Sequence, residues 1–200
     1  SVESMQAAFS ALALKDFLEP RLPKQYLTDS KPLRKILENT LKAKTFEELE
    51  CPLKIIATCL ESSKEVIFEK GPLIDAIIAS CSVPVVFPPV KIEGKHYVDG
   101  GVIRNVPVSV IREECKQVFA VNLIPSSGKD MAYNGSMKHI AERCVTMMFN
   151  AAAMYDLNLA DLVIEDVEMA GYSTYDLKHR DEMFNLGYNA NAFKLLDKMG

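Results

Sequence analysis

The feature that most limits the fold is a succession of three segments. A short strand ends in an Asp-Gly-Gly turn, a helical segment follows, and an almost uninterrupted apolar strand comes next. Strand 95–98 runs into the turn at Asp99, residues 107–116 are typical of a helix, and residues 117–122 form the buried strand. A strand, a helix and a second strand in this order predict a right-handed crossover. The expected fold class is therefore α/β with a mainly parallel central sheet.

Periodicity predicts the other elements around this unit. Five further helices are expected from apolar residues at helical spacing, at about 5–14, 31–42, 73–80, 136–158 and 181–198. Strands are expected at 53–58, 65–69 and 160–164, the first two joined as a hairpin or as part of a meander. No internal repeat and no mark of a second domain appears, so the 200 residues are expected to form one domain.

The net charge argues against a nucleic-acid partner, and the hydropathy argues against a membrane-spanning segment. A net charge of −4 gives no basic footprint for nucleic acid. The longest charge-free apolar stretch, 76–90, is too short for a membrane span and contains three prolines. No Gly-rich phosphate loop follows a predicted strand, which disfavours a nucleotide-binding domain.

The cysteines indicate a compartment. Five widely spaced cysteines, an odd number, are typical of reduced thiols, so a cytoplasmic protein is expected. No Cys/His spacing in the sequence suggests zinc, and no metal or other cofactor is predicted.

Asp99 is the first candidate catalytic residue. It leaves a strand on a turn whose two glycines permit close backbone approach, which is how a carboxylate is fixed at the rim of an α/β sheet. An Asp-Gly pair is also a favoured hairpin turn, so the tripeptide alone does not decide between structure and function.

The residues around Asp99 extend into a longer pattern. GPLIDAIIAS at 71–80 leads into CSVPVVFPPV at 81–90, followed by YVDGGV at 97–102 and N-x-P-V at 105–108. In this combination the chain resembles the patatin-like phospholipases of bacterial type, over roughly residues 27 to 197. The resemblance implies a three-layer α/β/α fold, hydrolysis of lipid acyl esters by a Ser/Asp dyad, and no metal for the chemistry.

By this resemblance Asp99 is the dyad carboxylate, which takes the proton from a serine hydroxyl that is otherwise a weak nucleophile. Burial near the sheet rim is expected to raise the pKa of Asp99 toward the working range. No histidine then needs a catalytic role. His96, three residues before Asp99 on one strand, is expected to face the opposite side as an ordinary half-buried residue.

The first half of the family pattern is not intact in this sequence. The Gly-rich oxyanion loop and the G-x-S-x-G elbow have no counterpart, and GYSTY at 171–175 lacks the second glycine and is interpreted as a turn. Residues 1–8 (SVESMQAA) align with the family's helix start, S-x-G-[SA]-[ILM]-x-[AG]-[AG]. This alignment makes Ser1 the candidate nucleophile and puts Glu3 in place of the elbow glycine. A single patatin-like domain, incomplete at its N-terminus, is expected.

Two functions remain open. The first is a serine acyl hydrolase acting on phospholipid or other lipid esters, of which this chain supplies the acid/base half. The alternative is a catalytically inactive patatin-fold module that binds lipid or acts as a scaffold. Expected partners are the lipid ester or phospholipid substrate, a membrane surface through peripheral contact, and a second copy of the chain. Met147, Met148 and Met154 are interpreted either as core residues or as the lining of an acyl pocket.

Overall fold

The computed structural model of the chain describes residues 19–20, 26, 28–125, 135–172 and 177–189. The chain divides into two compact units, the first ending at Arg104 and the second beginning at Asn105. The helix expected at 5–14 and the candidate nucleophile Ser1 lie outside the described residues.

The first unit contains, in chain order, β1 (Glu19–Pro20), β2 (Thr28–Asp29), α1 (Lys31–Thr40), β3 (Ile55–Cys59), β4 (Lys64–Phe68), α2 (Leu73–Ser80), β5 (Val90–Ile92) and β6 (Lys95–Asp99). Four of these strands form an antiparallel sheet in the order β4-β3-β6-β5. Strands β1 and β2 form a separate antiparallel pair. The expected hairpin is confirmed, with Ile55 opposite Phe68 and Cys59 opposite Lys64.

One face of this sheet packs against α2. Ala57 and Cys59 of β3 form a buried cluster with Ala79 of α2 and Tyr97 of β6. The Tyr97 ring also meets the Phe68 ring edge to face, with centroids 5.3 Å apart. Small side chains on β3 let the helix lie close to the sheet, which brings the end of α2 to the end of β6.

Helix α1 is fixed to α2 by polar contacts at its start. The Asp29 carboxylate accepts the backbone N–H of Lys31 at 3.1 Å, and Pro32 occupies the first turn, where a missing N–H is tolerated. The Arg34 guanidinium donates to the Asp75 carboxylate of α2 at 2.5 Å. The sequence-based prediction of a helix starting after Asp29 and Ser30 is confirmed.

The second unit combines a parallel strand pair with a long helix. Its elements are β7 (Phe119–Val121), α3 (Met137–Leu157), β8 (Leu162–Ile164) and α4 (Arg180–Tyr188). Strands β7 and β8 pair in parallel, as the apolar runs predicted. The Ser136 side chain accepts the N–H of His139 at 3.1 Å and caps α3. The unit's buried cluster consists of Val106, Val108, Val118, Ala120 and Ala153.

The prediction of a mainly parallel sheet is wrong for the described residues. Strand β6 pairs antiparallel with both β3 and β5, and parallel pairing is confined to β7 and β8. One source of the difference is the short strand β5, which the sequence did not predict. Glu93 and Gly94 both have positive φ, 49° and 84°, a geometry that joins adjacent strands as a tight hairpin. Strand β6 therefore pairs with β5 through a hairpin, whereas its other neighbour, β3, is separated from it along the chain by β4, α2 and β5.

The helix predicted at 107–116 is also wrong, because only a 3-10 turn at Val108–Val110 forms there. The Arg112 side chain explains why the segment need not be helical. Its guanidinium donates to the carbonyls of Cys115 and Lys116, at 2.9 and 3.0 Å, and to the Asp161 carboxylate at 2.5 Å. The Asp156 carboxylate likewise accepts the Ser109 N–H, so a side chain from outside the segment helps to satisfy its polar backbone groups.

Asp156, the buried carboxylate of α3, ties this helix to the 3-10 turn. Its side chain is almost fully buried, and Oδ1 accepts the Ser109 N–H at 2.6 Å. Asp156→Ala leaves that amide without its acceptor and is expected to lower the free energy of unfolding by about 2–3 kcal/mol, measured by urea denaturation. Asp156→Asn keeps an acceptor oxygen and should lose less. An equal loss in both variants would contradict the hydrogen-bond explanation.

Candidate active site

Asp99 is fixed at the end of β6 by backbone contacts on both sides. It pairs opposite Ala57 of β3, and its N–H donates to the Ser82 carbonyl at 2.9 Å. Its Oδ1 accepts the N–H of Gly101 at 2.7 Å and thereby caps the 3-10 turn Gly100–Val102. The carboxylate therefore has a defined position between the end of α2 and the start of this turn.

Gly100 permits this arrangement because the turn runs directly against β3. A Cβ placed on Gly100 would lie 2.3 Å from the carbonyl oxygen of Ile56 and 2.8 Å from its carbonyl carbon. These are backbone atoms of a central strand, so they cannot move aside as a flexible side chain could. The close backbone approach expected for the glycine turn is present at this residue.

Burial raises the pKa of Asp99 from its ordinary 3.8 to about 6. The Gly101 N–H favours the ionised carboxylate and acts in the opposite direction, but it offsets only part of the effect of burial. At neutral pH the carboxylate is mostly ionised, and it binds a proton more tightly than an exposed aspartate does. A group with these properties can act as a general base.

Cys81 lies at the end of α2 near Asp99, and the sequence reading did not place it there. Limited hydration of its thiol and, secondly, the negative charge of Asp99 both raise the pKa of Cys81. The group therefore stays a neutral thiol at physiological pH, unlike the activated thiolates of cysteine nucleophiles. Its position near Asp99 follows from the Ser82 carbonyl that accepts the Asp99 N–H, a contact that no local sequence signal indicates.

Ser82 is the serine whose backbone contacts Asp99, but its hydroxyl is already engaged. The side chain is 1% exposed, and Oγ donates to the Ile78 carbonyl at 2.7 Å. A hydroxyl has one proton to donate, so this one closes the last turn of α2. The geometry gives Ser82 a structural role.

The loop after Ser82 contains a strained residue. Val85 has φ of 72°, and its side chain is 70% exposed. Positive φ is a true outlier for a β-branched residue and costs on the order of 1–3 kcal/mol. The loop is held by the Thr28 N–H, which donates to the Val86 carbonyl at 3.0 Å.

Val85→Gly is expected to raise the free energy of unfolding by about 1 kcal/mol, because relief of strain exceeds the extra entropy of an unfolded glycine. Thermal denaturation measures the change. Val167, half-exposed in a 3-10 turn without positive φ, provides the matched control. Val167→Gly should lower stability, and an equal loss at Val85 would contradict the strain.

The other sequence candidates lie away from Asp99 or outside the described residues. His96 is about half-buried, as expected, with 46% of its side chain exposed, and its Nδ1 lies 2.7 Å from Glu61 Oε1. Strand alternation puts it on the opposite face from Asp99, as expected. Ser173 of the GYSTY segment lies outside the described residues. Met147 and Met154 are both mostly exposed and not packed in the core.

Neither a membrane span nor a metal cluster is found in the part of the chain that the structure describes. Among the described residues no helix combines the length and apolarity needed to cross a bilayer. The same residues contain no group of three or more His, Cys, Asp and Glu side chains placed to hold a metal ion.

Comparison with known proteins identifies the family. The sequence model of the patatin-like phospholipases matches residues 1–111, a segment that contains β1 to β6 and the Asp99 turn. The chain belongs to the patatin-like phospholipase family. An uncharacterized NTE family protein of Mycobacterium tuberculosis (strain H37Rv) is 28% identical over 119 residues, which cover 60% of this chain and 33% of the relative.

A mammalian relative extends the match. Patatin-like phospholipase domain-containing protein 2 of Mus musculus is 32% identical over 176 residues, which cover 80% of this chain and 34% of the mouse protein. The patatin-like chain thus spans about a third of the length of these curated relatives. The family to which the chain belongs and the mixture of helices and strands in its structure both indicate an α/β fold.

Proposed function

We propose that this patatin-like chain supplies the acid/base part of a serine acyl hydrolase acting on lipid esters, with Asp99 as the dyad carboxylate. The observation that carries the proposal is the environment of Asp99. Its carboxylate is largely desolvated, has a pKa of about 6, and is oriented by the Gly101 N–H inside the segment that matches the family. Such a carboxylate is suited to proton transfer with a hydroxyl group.

In the proposed reaction a serine oxygen attacks the ester carbonyl while Asp99 takes the serine proton. The tetrahedral intermediate collapses, the alcohol leaves with the proton from Asp99, and the acyl group stays on the serine. Water then attacks the acyl-enzyme, Asp99 takes a proton from that water, and the fatty acid departs as the proton returns to the serine. The pKa of Asp99 is high enough for it to accept each proton and low enough for it to release it.

We propose Ser1 as the nucleophile, on its alignment with the serine of the family's helix start. Ser82 does not compete for this role, because its hydroxyl is buried and donates to Ile78. We further propose that the chain forms one patatin-like domain. The similarity to the mouse relative supports this, since it runs over 176 residues, more than either unit contains.

A serine-directed fluorophosphonate tests the proposal on this chain and on the complete product of its gene. Labelling located at Ser1 by peptide mass spectrometry, together with hydrolysis of p-nitrophenyl butyrate and of a phospholipid, is the expected result for the complete product. Ser1→Ala should abolish both, whereas Ser62→Ala, an exposed serine in the β3–β4 turn, should change neither. Lipid binding without labelling or turnover in any form would overturn the hydrolase and leave a binding module.

A further inference from the structure

Helix α3 carries an exposed apolar stripe that its own unit leaves uncovered. The stripe, here called the α3 seam, consists of exposed uncharged residues: Met137, Ile140, Cys144, Met147, Ala151 and Met154. The opposite face of the helix is buried through Phe149, Ala153 and Asp156. One face of α3 therefore builds the unit's core, while the other presents apolar side chains outward.

The spacing of the α3 seam is that of a helix-to-helix contact. Its members alternate three and four residues apart, which is the a and d pattern of a coiled coil with period 3.5. A helix that lies on a lipid surface instead has a wide apolar face bordered by Lys and Arg. Residues 144–155 contain no charged side chain, so the seam lacks such a border along most of its length.

The seam is complementary to itself when a second copy runs antiparallel. The spacing reads the same in both directions, so Met137 meets Met154 of the second copy. In the same alignment Ile140 meets Ala151, and Cys144 meets Met147. The two inner layers are the Ile140–Ala151 and Cys144–Met147 pairs. In each of them a larger side chain lies opposite a smaller one, so both layers are filled evenly. A parallel alignment would stack Ala151 on itself and leave that layer underfilled.

The residues beside the seam are compatible with this pairing. In the antiparallel alignment Arg143 lies next to Asn150 of the second copy, and Ala141 lies next to Met148. No like charges meet across the contact. We propose that the α3 seam is the interface of a two-fold symmetric homodimer in which α3 packs antiparallel against α3 of a second copy.

Sedimentation velocity of the 200-residue chain tests the dimer. Wild-type protein is expected to sediment as a dimer at micromolar concentration, and Met147→Glu, in the centre of the seam, should raise the dimer dissociation constant at least about 100-fold. Met147 is exposed, so this variant should still fold and keep the wild-type circular dichroism spectrum. Val167→Glu, an exposed residue of the same unit outside the seam, should dimerise as wild type does.

A cysteine pair tests the orientation. Met147→Cys leaves Cys144 in place, so mild oxidation of an antiparallel dimer should give an intermolecular 144–147 disulfide in the peptide map. Disulfides of 144 to 144 or 147 to 147 would show parallel packing and overturn the alignment. A wild-type chain that is monomeric at 100 µM, or that binds vesicles of anionic phospholipid through Met147 as a monomer, would overturn the interface itself.

Discussion

Replacing Asp99 with Asn is expected to reduce kcat for ester hydrolysis by about 10²- to 10⁴-fold in the complete gene product, because the amide cannot accept the serine proton. The substitution preserves the local geometry, since the Asn Oδ1 can still accept the Gly101 N–H that Asp99 accepts at 2.7 Å. The KM should change little. Steady-state kinetics with p-nitrophenyl butyrate measure both constants.

The same substitution is expected to make the fold more stable above pH 6. Because the pKa of Asp99 is raised from 3.8 to about 6 in the folded chain, the folded state binds this proton more tightly than the unfolded state does. The free energy of unfolding therefore falls as pH rises from about 4 to about 6, and stays lower above. Asp99→Asn removes this term and should add up to about 3 kcal/mol at pH 8.

Urea denaturation at pH 8 and at pH 4 measures this gain, which should nearly vanish at pH 4. Loss of activity with a gain in stability is the pattern of a catalytic group held at a cost to the fold. A variant that loses both activity and stability at pH 8 would show instead that Asp99 is a structural turn residue.

Gly100→Ala is the second large effect and acts through the backbone. The new methyl group would lie 2.3 Å from the Ile56 carbonyl oxygen, so either the turn or strand β3 must move. We expect a loss of at least about 3 kcal/mol in the free energy of unfolding. The displaced turn would also carry Asp99 away from its position, so the complete gene product should lose hydrolysis even where it remains folded.

Gly187→Ala is the matched control for the substitution. Gly187 lies in α4, and a Cβ there would meet no heavy atom within 4 Å. Alanine is the better helix former, so this variant should be unchanged or more stable by up to about 1 kcal/mol. Wild-type stability of Gly100→Ala in thermal denaturation would contradict the close approach of the turn to β3.

The elements that could be predicted from sequence are those determined by local signals. The β3–β4 hairpin, the start of α2 after Pro72 and the cap of α3 at Ser136 each depend on residues within a few positions. The antiparallel β5–β6 pair depends on the Glu93 turn, where a non-glycine residue with positive φ gives little advance signal. Segment 107–116 depends on Arg112, which reaches Asp161 from across the sequence.

The candidate site shows the same division. The Asp99 turn was visible in the sequence, because two glycines after a strand-ending carboxylate form a recognisable pattern. The position of Cys81 and the strain at Val85 follow from how α2 meets β6, which local propensity does not encode. The α3 methionines had helical spacing that fits a buried face equally well, and only the exposure of Met147 and Met154 distinguishes the outer face.

The pH dependence of kcat/KM for the complete gene product tests the central claim most directly. If Asp99 is the general base, kcat/KM should rise about tenfold per pH unit below its pKa and level off above an apparent pKa near 6. Asp99→Asn should remove that rise from whatever activity remains. A profile that is flat from pH 4 to pH 8, or a rise near pH 6 that persists in Asp99→Asn, would contradict the assignment.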